Sequence, residues 1–345
     1  MKLLLITQKV DQNDQLLGFF VDWLDLLAKK FEKITVLCLE KGDFNLPENV
    51  NVISLGKDRH VSKLVQLYSF YKLIFKLRKN YDAVFVHMNP VWVVLGGVVW
   101  RILSKNIFFW YTTKGVTLKL KIAEKFADTI FTASKESFRI PSKKVIVIGH
   151  GIDTKLFQPI LEVKPQLLRF NLKILSVGRI APVKNYEVLV DATKVLKDKG
   201  FNFSVTMIGE APLERDKNYE KNLKLKVKSL KLEDNFSFVG KVDHKNLPAY
   251  YQSHDIFVHL SKTGSLDKTI LEAMACGMNV LSSNDAAHRF LPSELLFDEN
   301  DPKELADKIE RISQNTPSLS LRQYVIENHN LYKLIDKISR LIKNK

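Results

Sequence analysis

Short apolar runs rich in Val, Ile and Leu alternate along this chain with longer stretches whose apolar positions recur at helical spacing. Runs at residues 2–6, 34–39, 50–54, 83–87, 107–111, 129–132 and 145–148 predict strands; segments 16–30, 61–79, 91–104 and 118–127 between them predict helices. A strand covered on both faces shows no polar alternation, so unbroken apolar strands separated by helices mean a mostly parallel sheet buried on both sides. A polar stretch at 153–170 breaks the rhythm, because Pro159 and Pro165 fit neither a helix interior nor a central strand. The alternation then restarts. Strands are expected at 172–177, 203–208, 236–239, 256–260 and 279–282, with a short one at 295–297, and helices at 186–199, 219–230, 247–253, 269–276 and 302–313. Residues 321–345 read as one long amphipathic helix. The fold class is therefore α/β, two Rossmann-like doubly wound parallel-sheet domains: one over 1–158, one over 166–316, and a terminal helical segment over 317–345.

Composition narrows the class. A chain of 345 residues with 46% hydrophobic and 26% charged residues can bury two cores, which excludes a disordered or collagen-like protein. Cys38 and Cys276 stand outside any disulfide or zinc spacing. The first apolar run is too short for a secretory signal and predicts the first buried strand of a cytoplasmic protein. Residues 83–100 carry no charge, but Asn89-Pro90 splits them into pieces shorter than the ~20 residues a membrane helix needs.

The net charge of +15 is unevenly spread: residues 57–144 hold 17 basic and 5 acidic residues. Within them, 61–79 interleaves aromatic and aliphatic residues with Lys63, Lys72, Lys76, Arg78 and Lys79, and Lys119, Lys121 and Lys125 form a second cluster. Two readings stand: an amphipathic helix on its own sheet with lysines reaching outward, or a helix lying on an anionic bilayer. No zinc-finger, helix-turn-helix or RNA-binding aromatic motif accompanies the charge, so nucleic acid is not the expected partner.

In doubly wound sheets ligands bind beyond the carboxyl ends of the strands, so the loops after strands are where chemistry is sought. After 172–177 come Gly178 and Arg179, then Lys184 and Asn185, with no acidic residue between the two cations and Asn185 placed to cap the next helix. Two cations beside a helix N-terminus suit a diphosphate; the alternative is a solvated basic loop. After 256–260, the small residues Thr263, Gly264 and Ser265 precede a helix that starts near Asp267 and carries Glu272 one turn in. Its carboxylate leans back toward the helix start and suits two neighbouring hydroxyls, unless it is an ordinary surface Glu. His87, at a strand end, either lines a cleft or is a buried structural histidine. Gly149-His150-Gly151 lacks the third glycine of a dinucleotide motif and reads as the turn that ends the first domain.

Gly178-Arg179 with Lys184-Asn185, Ile208-Gly209-Glu210, Phe238-Val239-Gly240 and Leu271-Glu272-Ala273-Met274-Ala275-Cys276-Gly277, in that order, resemble the C-terminal half of retaining GT-B glycosyltransferases of the family 4, or group 1, type. The resemblance is specific over 172–315 and looser elsewhere. It implies a metal-independent hexosyltransferase whose substrate is a nucleotide diphosphate sugar, with no other cofactor. Its acceptor would be a glycolipid, a lipid-linked molecule or a cell-surface polysaccharide precursor. By this resemblance Arg179 and Lys184 neutralise the diphosphate, Glu272 binds the ribose and Val239, Gly240 and Lys241 lie along the base. Gly178, Ser265, Leu266, Asp267, Lys268 and Thr269 surround the sugar and its phosphates. No protein nucleophile is needed, and the chain has no Asp-x-Asp pair; Arg179, Lys184 and Asp267 would carry catalysis by positioning and charge stabilisation. Gly18, His87, Thr113 and Lys114 would line the cleft from the first domain. A cytoplasmic protein peripheral to the inner face of the plasma membrane is the matching location.

Two departures from the family pattern stand out. Gly264 occupies the position of the usual first carboxylate, for which Asp267 is a substitute three residues on, and Thr113 stands where a histidine is usual. They motivate the alternative of a catalytically weakened nucleotide-sugar-binding or scaffold protein.

Overall fold

The computed structural model describes residues 1–14, 17–160, 171–262, 264–314 and 319–345. The chain divides into two units, Met1–Gly151 with Asn330–Lys345, and Ile152–His329. The predicted Leu16 helix start, Pro165 and the small residue Thr263 lie outside the described residues.

In the first unit β1 (Lys2–Val10), α1 (Phe19–Ala28), β2 (Lys33–Lys41), β3 (Val50–Ser54), α2 (Lys63–Lys76), β4 (Ala83–His87), α3 (Pro90–Ile102), β5 (Asn106–Trp110), α4 (Leu118–Phe126), β6 (Thr129–Thr132) and β7 (Val145–Val147) follow in order. The strands form one parallel sheet, β3-β2-β1-β4-β5-β6-β7. Each face carries its own core. Leu3, Leu5, Phe85 and Phe108 pack with Phe20 and Leu24 of α1, while Leu4, Ile6, Val84 and Ile107 pack with Phe70 and Ile74 of α2 and Trp92 and Trp100 of α3. The uncharged run at 83–100 is thus β4 followed by α3, with Asn89 accepting from the Val91 amide to start the helix. No helix among the described residues is long and apolar enough to cross a membrane.

In the second unit β8 (Leu172–Val177), α5 (Tyr186–Asp198), β9 (Phe203–Ile208), α6 (Glu214–Ser229), β10 (Phe236–Gly240), α7 (Leu247–Ser253), β11 (Ile256–His259), α8 (Lys268–Ala275), β12 (Asn279–Ser282), α9 (Pro302–Ser313) and α10 (Leu319–Asn328) follow. The sheet, again all parallel, runs β10-β9-β8-β11-β12. Chain order reverses between β8 and β11. That switch point is where the following loops diverge and leave room for a ligand.

Three expectations need correcting. The first unit ends at Gly151 and not at 158, because Ile152 and Phe157 are buried in the second unit's core, Phe157 edge-on to Tyr251. The expected single terminal helix is two, α10 and α11 (Leu331–Lys343), split at His329-Asn330. Asn330 adopts an extended conformation and accepts from the Lys333 amide, capping α11 and ending continuity with α10. The two helices then serve different cores: Leu321 and Val325 of α10 in the second unit, and Leu331, Leu334, Ile335, Ile338 and Ile342 of α11 in the first. The strand expected at 295–297 is one isolated bridge, Leu296 to Ser282.

Candidate functional site

The loops that leave the second sheet at its switch point are held close by backbone contacts. Gly178 donates to Ile208 O and Ile180 to Glu210 O, so the β8 and β9 loops run together. A Cβ on Gly209 would lie 2.0 Å from Gly178 O, which only glycine tolerates. The β11 loop joins them through the Lys262 amide, which donates to Val183 O. Buried Asn284 donates from Nδ2 to Ser261 O at 3.3 Å and to Ser265 O at 3.1 Å, bracing the turn before α8.

On this frame Lys184 and Asp267 meet. Lys184 Nζ lies 2.5 Å from Asp267 Oδ2, and His259 Nε2 donates to the same oxygen over 2.8 Å. The side chains of Lys184, Asp267 and His259 are 12%, 22% and 3% exposed. Burial opposes ionisation of Asp267, but the Lys184 ammonium and the His259 hydrogen bond outweigh it and hold the carboxyl well below the usual range. Burial also depresses the His259 pKa against the opposing pull of Asp267, so the imidazole is neutral. The expectation of two uncompensated cations on the β8 loop is therefore corrected: Lys184 has a counter-ion 83 residues away in sequence. Arg179, half-buried on the same loop, forms no ion pair among the described residues. Asn185 is not the expected side-chain cap. It sits at φ 52 with no cap bond, and its amide donates to Glu299 O over 2.7 Å.

Glu272, on α8, is 3% exposed. It accepts from Tyr251 Oη at 3.0 Å and from His244 Nε2 at 3.2 Å, His244 itself lying against the Phe157 ring. Burial pushes its pKa up, and the His244 bond, the Lys268 charge and the Tyr251 bond bring it below the usual value, so it is ionised. The reading of Glu272 as an ordinary surface residue is excluded; the carboxylate is positioned. Thr269, in the first turn of α8, has a buried hydroxyl with no hydrogen-bond partner among the described residues. Gly264 is buried with φ +63, a conformation that disfavours a glutamate there. Val239 is exposed at the end of β10, where Gly240 turns with φ +79 toward Lys241 and the short turn that holds His244.

In the first unit, the switch point falls between β1 and β4. Gly18 sits at the start of α1 with no room for a Cβ, 2.5 Å from Asp14 O. His87 is fully buried, stacked on Phe20 at 3.9 Å, with Nδ1 3.2 Å from Thr7 Oγ1, which is the structural role. Exposed Thr113 and half-buried Lys114 lie in the loop after β5. Gly149 and Gly151, both at positive φ, form the turn that closes this part of the unit. Sequence reasoning missed His244, Tyr251, His259 and Asn284. His259 closes an interior strand just before the loop that carries Gly264 and Asp267, and the last residue of a strand lies at the same ligand-facing end of the sheet as the loop after it.

Comparison with known proteins matches residues 163–344 to the family model described as "Glycosyl transferases group 1". Mannosylfructose-phosphate synthase of Agrobacterium fabrum is 33% identical over 149 residues, 41% of this chain and 33% of that protein. Amylovoran biosynthesis glycosyltransferase AmsK of Erwinia amylovora is 31% identical over 187 residues, 50% of this chain and 43% of that protein. The matched part of the chain thus spans less than half the length of either relative. Anabaena HepE, solved in complex with UDP, superposes with a TM-score of 0.80 at 19% identity, over 100% of both chains. The fold is the GT-B fold expected from the sequence.

Proposed function

The chain belongs to the group 1 glycosyl transferases, and from that premise we propose that it moves a hexose-type sugar, with retention of configuration and without a metal ion, from a nucleotide diphosphate sugar to a hydroxyl of a glycolipid, lipid-linked or polysaccharide precursor. The observation that carries the reading is the pairing of two features at the carboxyl ends of one sheet: Arg179, with no ion pair among the described residues, on the same β8 loop as Lys184, and the positioned carboxylate of Glu272. In this reading Arg179 and Lys184 take the diphosphate, with the amides and the orphan Thr269 hydroxyl at the start of α8 beside it. Glu272 accepts from the ribose hydroxyls and the Val239–Lys241 turn flanks the base. Charge developing on the leaving diphosphate is stabilised by groups already in place, so catalysis needs no protein nucleophile. The UDP held by HepE and the amylovoran biosynthesis named for AmsK support a nucleotide-bound donor and a saccharide acceptor.

A membrane-side location has its own support. Eight of the fifteen large apolar side chains exposed among the described residues fall between Leu64 and Leu118. On α2, Leu64 and Tyr68 are 79% and 66% exposed, Phe75 is exposed too, and Lys72 and Lys76 share their face. Such a face suits the inner, anionic leaflet of a plasma membrane, with the protein peripheral and cytoplasmic.

Gly264, with no carboxylate to offer the sugar, favours a second reading, a nucleotide-sugar-binding protein of weakened activity. Incubation with UDP, GDP and ADP sugars and a lipid or oligosaccharide acceptor separates the two. Transfer with one donor supports the enzyme, and binding without transfer or hydrolysis supports the second reading.

A further inference from the structure

We propose that Asp267 is a resident counter-ion of the donor site: it neutralises Lys184 while the site is empty and yields the lysine to the incoming diphosphate, while buried His259 retains the carboxylate as a hydrogen-bond acceptor for the transferred sugar. The inference rests on the donor-site reading above and adds to it a competition within the site and a positioning residue.

The geometry is a relay of single-purpose bonds. Lys184 Nζ and His259 Nε2 converge on one oxygen, Asp267 Oδ2, at 2.5 and 2.8 Å. A carboxylate only accepts, so Nε2 carries the imidazole proton and Nδ1 is left as an acceptor. Ser282 Oγ, 3.5 Å from Nδ1, is placed to supply that proton, and the Asn284 amide donates to Ser282 Oγ at 3.1 Å. His259, Ser282 and Asn284 are all buried at the β11-β12 edge, so this end of the relay is fixed by the core. The other end is a lysine on the loop after β8, on the far side of the switch point. A diphosphate brings at least two negative charges and attracts Lys184 more strongly than one carboxylate does. Without His259, Asp267 would stay with the lysine and compete with the ligand; with it, the carboxylate has a second partner to remain on. Asp267 begins α8 without capping it, so no helix bond restrains its side chain.

The test is calorimetric titration of the full chain with UDP, GDP, ADP and inorganic pyrophosphate, combined with turnover of the preferred donor. Asp267→Asn removes the competing charge, and the account expects diphosphate binding about tenfold tighter with turnover lowered. His259→Ala is expected to weaken diphosphate binding in the wild-type background and to leave it unchanged in the Asp267→Asn background, because it acts only through Asp267. His259→Gln, which keeps an N–H near the position of Nε2, is expected to restore most of the binding. Thermal midpoints of all variants identify loss by misfolding. Equal or weaker diphosphate binding by a folded Asp267→Asn, in a protein whose wild type binds, overturns the inference while leaving the donor site standing. Equal effects of His259→Ala in both backgrounds overturn the positioning role. No nucleotide or pyrophosphate binding by the wild type overturns the donor-site reading and this inference with it.

Discussion

Tyr251 donates its phenolic proton to Glu272 Oε2 across 3.0 Å, inside the core of the second unit and beneath the carboxylate proposed to hold the ribose. Burial and the facing carboxylate push the Tyr251 pKa well up, so the donor never titrates in the physiological range. Glu272→Ala strands the buried donor Tyr251 Oη and the half-buried His244 Nε2, and is expected to cost about 1–3 kcal/mol of stability together with nucleoside binding. Tyr251→Phe removes one bond and is expected to raise the donor KM a few-fold with little change in kcat. Steady-state kinetics and a thermal melt of the two variants check both.

Arg179 and Lys184 separate by the same logic. Arg179 has no ionic partner among the described residues, so Arg179→Ala is expected to weaken nucleoside diphosphate binding by about 10- to 100-fold with an unchanged melting point. Lys184→Ala also strips Asp267 of its cation in a mostly buried setting, so it is expected to lower the melting point as well. Equal melts for the two variants would contradict the difference in partners.

Stability depends on pH through His329. Burial lowers its pKa to about 4 in the folded chain, against about 6.5 when unfolded. Between those values the unfolded state binds the extra proton, so stability falls as pH drops from about 6.5 to about 4, by about 3 kcal/mol at most from this group. Buried His259 and half-buried His254, with pKa values also lowered by desolvation, act in the same direction. Asp267 and Glu272, whose folded pKa values are depressed, add stability above the unfolded carboxylate range and lose it only as pH falls further. Denaturant titrations at pH 7, 5.5 and 4.5 on wild type and His329→Asn check this, the variant being expected to show the shallower loss.

The α2 face predicts vesicle binding. Co-sedimentation with vesicles containing anionic lipid is expected to exceed that with neutral vesicles and to fall with salt. Tyr68→Ser with Phe75→Ser, both exposed, is expected to reduce it without lowering the melting point. Binding indifferent to lipid charge and to salt would contradict the membrane-side reading.

Strands were readable because a sheet buried on both faces leaves unbroken apolar runs. Thr129–Thr132, Leu172–Val177 and Asn279–Ser282 begin and end where the pattern does. The division of the terminal segment is not legible in the sequence because amphipathicity reports that a helix buries a face, not which core receives it. The break at Asn330 lies in one cap bond. In the candidate site, Arg179, Lys184 and Glu272 were legible from residue type and position after strands. The partners were not: Lys184 finds Asp267 only when β8 and β11 lie side by side, and Glu272 finds Tyr251 and His244 only when α7 packs on α8. Asn185 failed as a cap because the fold holds its backbone left-handed and uses its amide to tie Glu299.

Titration of the full chain with a panel of nucleotide diphosphate sugars, wild type beside Arg179→Ala and Glu272→Ala, tests the central claim most directly. The account predicts saturable binding of at least one donor by the wild type and its loss, by tenfold or more, in each folded variant. Binding of the donor with equal affinity by all three proteins would contradict the assignment of this sheet edge as the donor site.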